Sequence, residues 1–278
     1  MSLQIQPVST FQLYRLLLKE YYTQEVPLRL VDVTSHFFPF TAPFWERVIG
    51  CFKGKQFELL TLETLKEEKW AQLNQTIQQV KEMFGLEDEI LIAKDLSAKI
   101  HSYAITGNII IVNEKTAFSF TQESQAFAIA HELSHYSHGH LNKRTYLNLV
   151  WIVIDLSFLS LAHYRSRLYL VAFVLAEIGI FHLDQAVSRM HEKEADLTAI
   201  ENLGANHGAK EFFFLNLAFD ALHFLEANKI QFPRQPNIEK SISTLFKIGI
   251  ALESVTPVKL ALSHPTHVER LQYCCIEE

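Results

Sequence analysis

Between residues 66 and 84 apolar side chains recur at intervals of three and four: Trp70, Leu73, Ile77, Val80 and Phe84. That period predicts an amphipathic helix. Short strands are expected at Phe57-Glu-Leu-Leu and Leu91-Ile92, and the β-rich run Ile109-Ile-Ile-Val112, entered through Gly107-Asn108, reads as a turn into a buried strand. Thr121 can cap a following helix, with Gln122 and Glu123 in its first turn. That helix carries Ala126, Phe127, Ile129, Ala130 and Leu133 on more than one side, the pattern of a buried element.

Two apolar runs follow, 147–162 and 168–183, separated by Tyr164-Arg165-Ser166-Arg167. They predict a helical hairpin over 147–183. Each run is shorter than the roughly 20 residues that cross a bilayer. Each also holds an acid, Asp155 or Glu177, which is costly in lipid unless paired. Two settings stay open: association with a membrane, and packing within the protein or an oligomer. A further helix is expected after Ser188, with Ala195, Leu197, Ala199, Ile200 and Leu203 as its apolar positions.

Residues 1–65 read as a separate N-terminal extension, and 66–278 as one domain. The extension suggests a short amphipathic helix from Phe11 to Tyr22, a strand at Val31, and an aromatic cluster of Phe37, Phe38, Phe40, Phe44 and Trp45. Such a cluster suits a core or docking patch, or a contact with a membrane surface or substrate.

Composition narrows the function. A chain of 278 residues, 49% hydrophobic, can bury a sizeable core. A net charge of −6 leaves no basic excess to neutralise phosphates, which argues against a nucleic-acid partner. Cys51, Cys274 and Cys275 have neither disulfide nor metal spacing, so a reducing compartment is expected. The first thirty residues show no cleavable secretory signal. The expected location is the cytoplasm, or a membrane with the domain facing the cytoplasm.

The chemistry gathers at His131-Glu132-Leu133-Ser134-His135. On a helix two histidines four apart project from one face and can share a zinc ion, while Glu132 can reach a metal-activated water. A random shuffle of this composition gives such a motif in roughly one case in twenty, so it needs a third ligand. Glu192, in Ser188-Arg-Met-His-Glu192-Lys-Glu194-Ala-Asp196, can supply it. Asp196 lies one turn on and can accept a hydrogen bond from a ligating imidazole. His138 and His140 read as structural or exposed, and Glu194 as a solvated residue on another face. Two histidines and a carboxylate also suit iron; Glu132 and the resemblance below favour zinc.

These segments resemble the zinc metallopeptidases typified by the heat-shock protease HtpX and the CAAX prenyl endopeptidase. The resemblance runs from about residue 66 to the end. It implies a zincin-like α+β fold, mostly α-helical, with an apolar helical hairpin and a small sheet at the cleft edge, where the strand just before the metal helix, 109–112, would be the one an extended substrate pairs with. It places the third zinc ligand at Glu192. It also matches Ser263-His-Pro-Thr-His-Val-Glu-Arg270-Leu to a His-Pro segment, implying that His264 sits by the metal and stabilises the oxyanion. Arg270 would then be a buried ion-pair partner, for example of Asp196. His101-Ser-Tyr-Ala104 is similar to the family's Asn-Ala-Phe-Ala edge segment, with His and Ser replacing Asn and Ala. The activity implied is zinc-dependent hydrolysis of peptides or unfolded proteins, in quality control or processing. Two other uses of the same residues are a chaperone-like binding protein with little turnover and a membrane-anchored protein with a structural zinc. The latter would take a fourth protein ligand such as His191 or His264.

Overall fold

The computed structural model describes residues 57–96, 103–166, 168–230, 238–255 and 264–274. The expected features of residues 1–56, together with His101, Cys51 and Cys275, lie outside them. The described elements run β1 (Phe57–Leu59), α1 (Glu68–Met83), β2 (Leu91–Asp95), β3 (Tyr103–Thr106), β4 (Ile109–Val112), α2 (Glu114–Ala117), α3 (Gln122–Ser137), α4 (His140–Tyr164), α5 (Leu168–Leu203), α6 (His207–Ala227), α7 (Ile238–Val255) and α8 (His267–Cys274). The fold is mostly helical with one small mixed sheet, as the sequence led us to expect.

The sheet corrects one expectation. Its strand order is β1-β2-β4-β3, with β2 and β4 parallel and the other two pairs antiparallel. The run 109–112 is therefore an interior strand, and its hairpin partner β3 is the edge strand on that side, with β1 at the other edge. The physical reason is visible in β4 itself: Ile110, Ile111 and Val112 are all buried, as in a strand covered on both faces. β3 packs beside α3, so the strand edge lies near the histidine-bearing helix.

α3 is the central helix. Phe127, Ile129, Ala130 and Leu133 are fully buried, and they join Trp70, Leu73, Ile77 and Val80 of α1 and Phe213 of α6 in one core. Neighbours on several sides explain why its sequence is apolar around most of its circumference. At its start the Thr121 hydroxyl accepts a hydrogen bond from the Ser124 amide at 3.2 Å, the cap expected from the sequence. Thr121 and Ser124 also donate to Glu211 of α6, the latter at 2.9 Å. The N-terminus of α3 is thereby tied to the helix behind it.

Only His138 and Gly139 separate α3 from α4. Gly139 has φ of 63°, a left-handed conformation open to glycine at little cost, and the chain turns sharply there. α4 and α5 form the predicted hairpin. α5 is one continuous helix of 36 residues: the second apolar run and the helix expected after Ser188 are a single element. Asp155 and Glu177 are buried, which keeps both acids off the outer surface. Leu149, Val150, Val153 and Leu156 of α4 and Val171, Val174 and Leu175 of α5 are exposed. Both helices are long and apolar enough to cross a membrane.

Candidate metal centre

α3 and α5 pack against each other, and their contact brings the predicted ligands together. His131 Nε2 and His135 Nε2 lie 3.1 Å apart. Glu192 Oε2 is 3.3 Å from the first and Glu192 Oε1 is 3.4 Å from the second. Donors held tetrahedrally around zinc at about 2.0–2.1 Å lie about 3.3–3.4 Å from one another. The three contacts match that spacing, and the two-imidazole, one-carboxylate donor set suits zinc. Among the described residues, His264 does not join this cluster as a fourth donor.

Each ligand is held from behind. His131 Nδ1 lies 2.8 Å from Asp196 Oδ1, one turn after Glu192 on α5. Asp196 is fully buried and also accepts hydrogen bonds from Arg270 Nε at 2.7 Å and from the Tyr273 hydroxyl. Arg270 Nη1 reaches Glu192 Oε2 at 3.4 Å, and its guanidinium lies over the Phe213 ring at 4.4 Å. Asp196 thus lies between a candidate ligand, His131, and a buried cation, Arg270. Tyr273 was missed, although it lies one turn from Arg270 and so on the same face of α8.

α8 is positioned by its own cap. Thr266 and Glu269 form a capping box: the Glu269 amide donates to the Thr266 hydroxyl at 3.1 Å and the Thr266 amide to Glu269 Oε2 at 2.9 Å. Glu253 of α7 accepts from the amides of His267 and Val268 at 2.7 and 2.9 Å. Arg189 of α5 pairs with Glu269 at 2.9 Å. The spacing Thr266-x-x-Glu269 was a readable signal for this helix start.

The electrostatics follow from the crowding of charge. Burial opposes the charged form of His131, but the Asp196 and Glu192 carboxylates outweigh it and push the imidazole up to about 10 in the metal-free chain. Burial would likewise raise Glu192, yet hydrogen bonds from His131, His135 and His264 hold it well below the usual carboxylate range. Asp196 is also held low against its burial, by Arg270 and His131. These carboxylates are ionised, ready to face a cation.

Glu132 sits half-buried on α3 between the two histidines and makes no hydrogen bond or ion pair among the described residues. His264 places Nδ1 3.0 Å from Glu192 Oε1, with its side chain 59% exposed. It lies beside the candidate ligand Glu192 and is exposed.

Of the two readings open for His140 the structure shows the structural one, and Glu194 departs from expectation. His140 is buried, with Nδ1 2.8 Å from His135 Nδ1. Glu194, expected to be merely solvated, is partly exposed but lies 3.0 Å from His140 Nε2. The turn at Gly139 folds the start of α4 onto this second face of α5. His191 stacks on His140, ring centroids 4.1 Å apart, and so faces that second side of the helix.

The family model of peptidase family M48 matches residues 67–274. The chain belongs to this family. M48 peptidases are zinc-dependent and include HtpX and the CAAX prenyl endopeptidase. As a member of M48, the chain has a peptidase fold in which the donor cluster lies inside the matched region. No curated protein matches the chain significantly.

Proposed function

We propose that this protein is a zinc-dependent endopeptidase acting on peptides or unfolded proteins, in quality control or processing. One observation carries the proposal: the ligand atoms of His131, His135 and Glu192 lie within 4.8 Å of one another, beside a carboxylate, Glu132, with no other partner among the described residues. Three protein donors and a spare acid are the parts of a hydrolytic site, whereas a structural zinc takes four protein ligands.

His131, His135 and Glu192 would hold the ion. When bound, zinc supplies the Lewis acidity that acidifies a water and polarises the scissile carbonyl. Glu132 accepts the proton of the attacking water on its carboxylate and returns it to the departing amine. His264 donates a hydrogen bond to the developing oxyanion; its exposed position leaves it free to meet a substrate. Asp196 fixes the proton of His131 on Nδ1, leaving Nε2 for the metal. The backbone edge of β3 offers an extended substrate a strand to pair with. The exposed apolar face of α4 and α5 would seat the protein on a membrane, with the catalytic end in the cytoplasm.

Glu132→Gln tests the mechanism. The variant is expected to keep its zinc by elemental analysis, yet lose chelator-sensitive casein cleavage by at least about 100-fold. Equal cleavage by parent and variant would remove Glu132 from the role of base. Client binding without turnover in the parent would favour the chaperone-like alternative.

A further inference from the structure

The two metal-binding histidines are supported in different ways. The outer nitrogen of His131 meets a carboxylate directly. The outer nitrogen of His135 meets another imidazole: Nδ1 of His140, at 2.8 Å. His140 Nε2 in turn lies 3.0 Å from Glu194 Oε2. From this geometry we propose that His140 and Glu194 form a relay that fixes the proton and the ring orientation of His135, making both positioning residues of the zinc site. The inference rests on the zinc-peptidase reading above.

The proton count allows one arrangement. A neutral imidazole has one donor and one acceptor nitrogen. Coordination through Nε2 leaves the proton of His135 on Nδ1, so His140 must accept at Nδ1. Its own proton then sits on Nε2, facing the Glu194 carboxylate. Every ring nitrogen and one carboxylate oxygen are used. Ring packing keeps His140 in that pose: it stacks on His191 at 4.1 Å with an interplanar angle of 8°, and on His138 at 5.3 Å and 20°. His140 is 4% exposed, and the left-handed Gly139 turns it back toward the ring five residues earlier. Carboxylates that orient ligating histidines are worth about 10–100-fold in metal affinity. Here the carboxylate acts through an intervening ring.

The test is zinc affinity, measured on the full chain by competition with a chromophoric chelator. His140→Phe keeps an aromatic ring against His191 but removes the acceptor, and is expected to weaken binding about 10–100-fold. His140→Asn, whose amide oxygen can stand near the lost nitrogen, is expected to recover most of that loss. Glu194→Gln, at a partly exposed position that does not threaten folding, is expected to weaken binding in the same direction by less. The cobalt-loaded forms of His140→Phe and Glu194→Gln should show shifted visible bands, while the metal-free thermal midpoint of Glu194→Gln stays at the parent value. If Glu194→Gln and His140→Phe bind zinc as the parent does, or if His140→Asn is as weak as His140→Phe, the relay is overturned and the peptidase reading stands. If the parent itself takes up no zinc, both fall together.

Discussion

The two ends of α5 meet different surroundings. Toward its C-terminal end Glu192 and Asp196 are buried in a network with His131 and Arg270. Toward its N-terminal end Val171, Val174 and Leu175 face outward, with no protein over them among the described residues. One end hides charge inside protein; the other shows hydrocarbon to its surroundings. The lesson is that burial and polarity are uncoupled along this helix. Glu192 and Asp196 are inside because each has partners there, and Val171, Val174 and Leu175 are outside because the hairpin extends beyond the core. A soluble helix normally does the reverse.

The largest test of this contrast removes a partner at the buried end. Arg270→Met takes away the bidentate partner of Asp196, leaving the buried carboxylate to His131 and Tyr273 alone, and is expected to destabilise the fold by about 3–5 kcal/mol, read as a lowered denaturant midpoint. A loss below about 1 kcal/mol would mean the network is better solvated than its burial indicates.

A second test uses pH. His131 is raised to about 10 in the metal-free chain, by Asp196 and Glu192 against its burial. For a raised histidine, the stability gained from its charge is complete below the unfolded value near 6.5 and is lost as pH rises through about 10. Zinc requires the neutral ring, so its affinity moves the other way. It should rise by up to about tenfold per unit as pH increases toward 10. Chelator competition at three pH values checks this; a flat profile would contradict the charged state of His131.

The smallest effect is expected at the outer end. Val153→Asp with Leu175→Lys changes two exposed positions, and stability in detergent should move by no more than about 0.5 kcal/mol per site. Zinc content should be unchanged while the share of protein in the membrane fraction falls. A large loss of stability would show that these faces are covered by protein.

Much of the metal end was legible because its chemistry is local. The four-residue spacing of His131 and His135, the placing of Glu132 between them, and the one-turn step from Glu192 to Asp196 are all fixed by helical geometry. So was the Thr121 cap. What escaped depended on contacts distant in sequence. His140 and Glu194 meet only because Gly139 reverses the chain, and no periodicity marks that. β4 could not be told from an edge strand, since a short apolar run does not reveal how many neighbours it has. The helices α6 and α7 drew no expectation, although Phe213 and Leu217 of α6 prove fully buried. The continuity of α5 was foreseeable: neither proline nor glycine interrupts 180–203.

That continuity has a mechanical consequence. From Glu177 to Glu192 the helix runs about 22 Å without a break. Rocked as a lever about its middle by roughly 5°, it would carry the Glu192 carboxylate about 1 Å, a displacement large enough to cost about 100-fold in rate. Were the hairpin seated in a membrane as proposed, bilayer thickness or lateral pressure acting on the distal arm would reach the metal centre as a shift in ligand position.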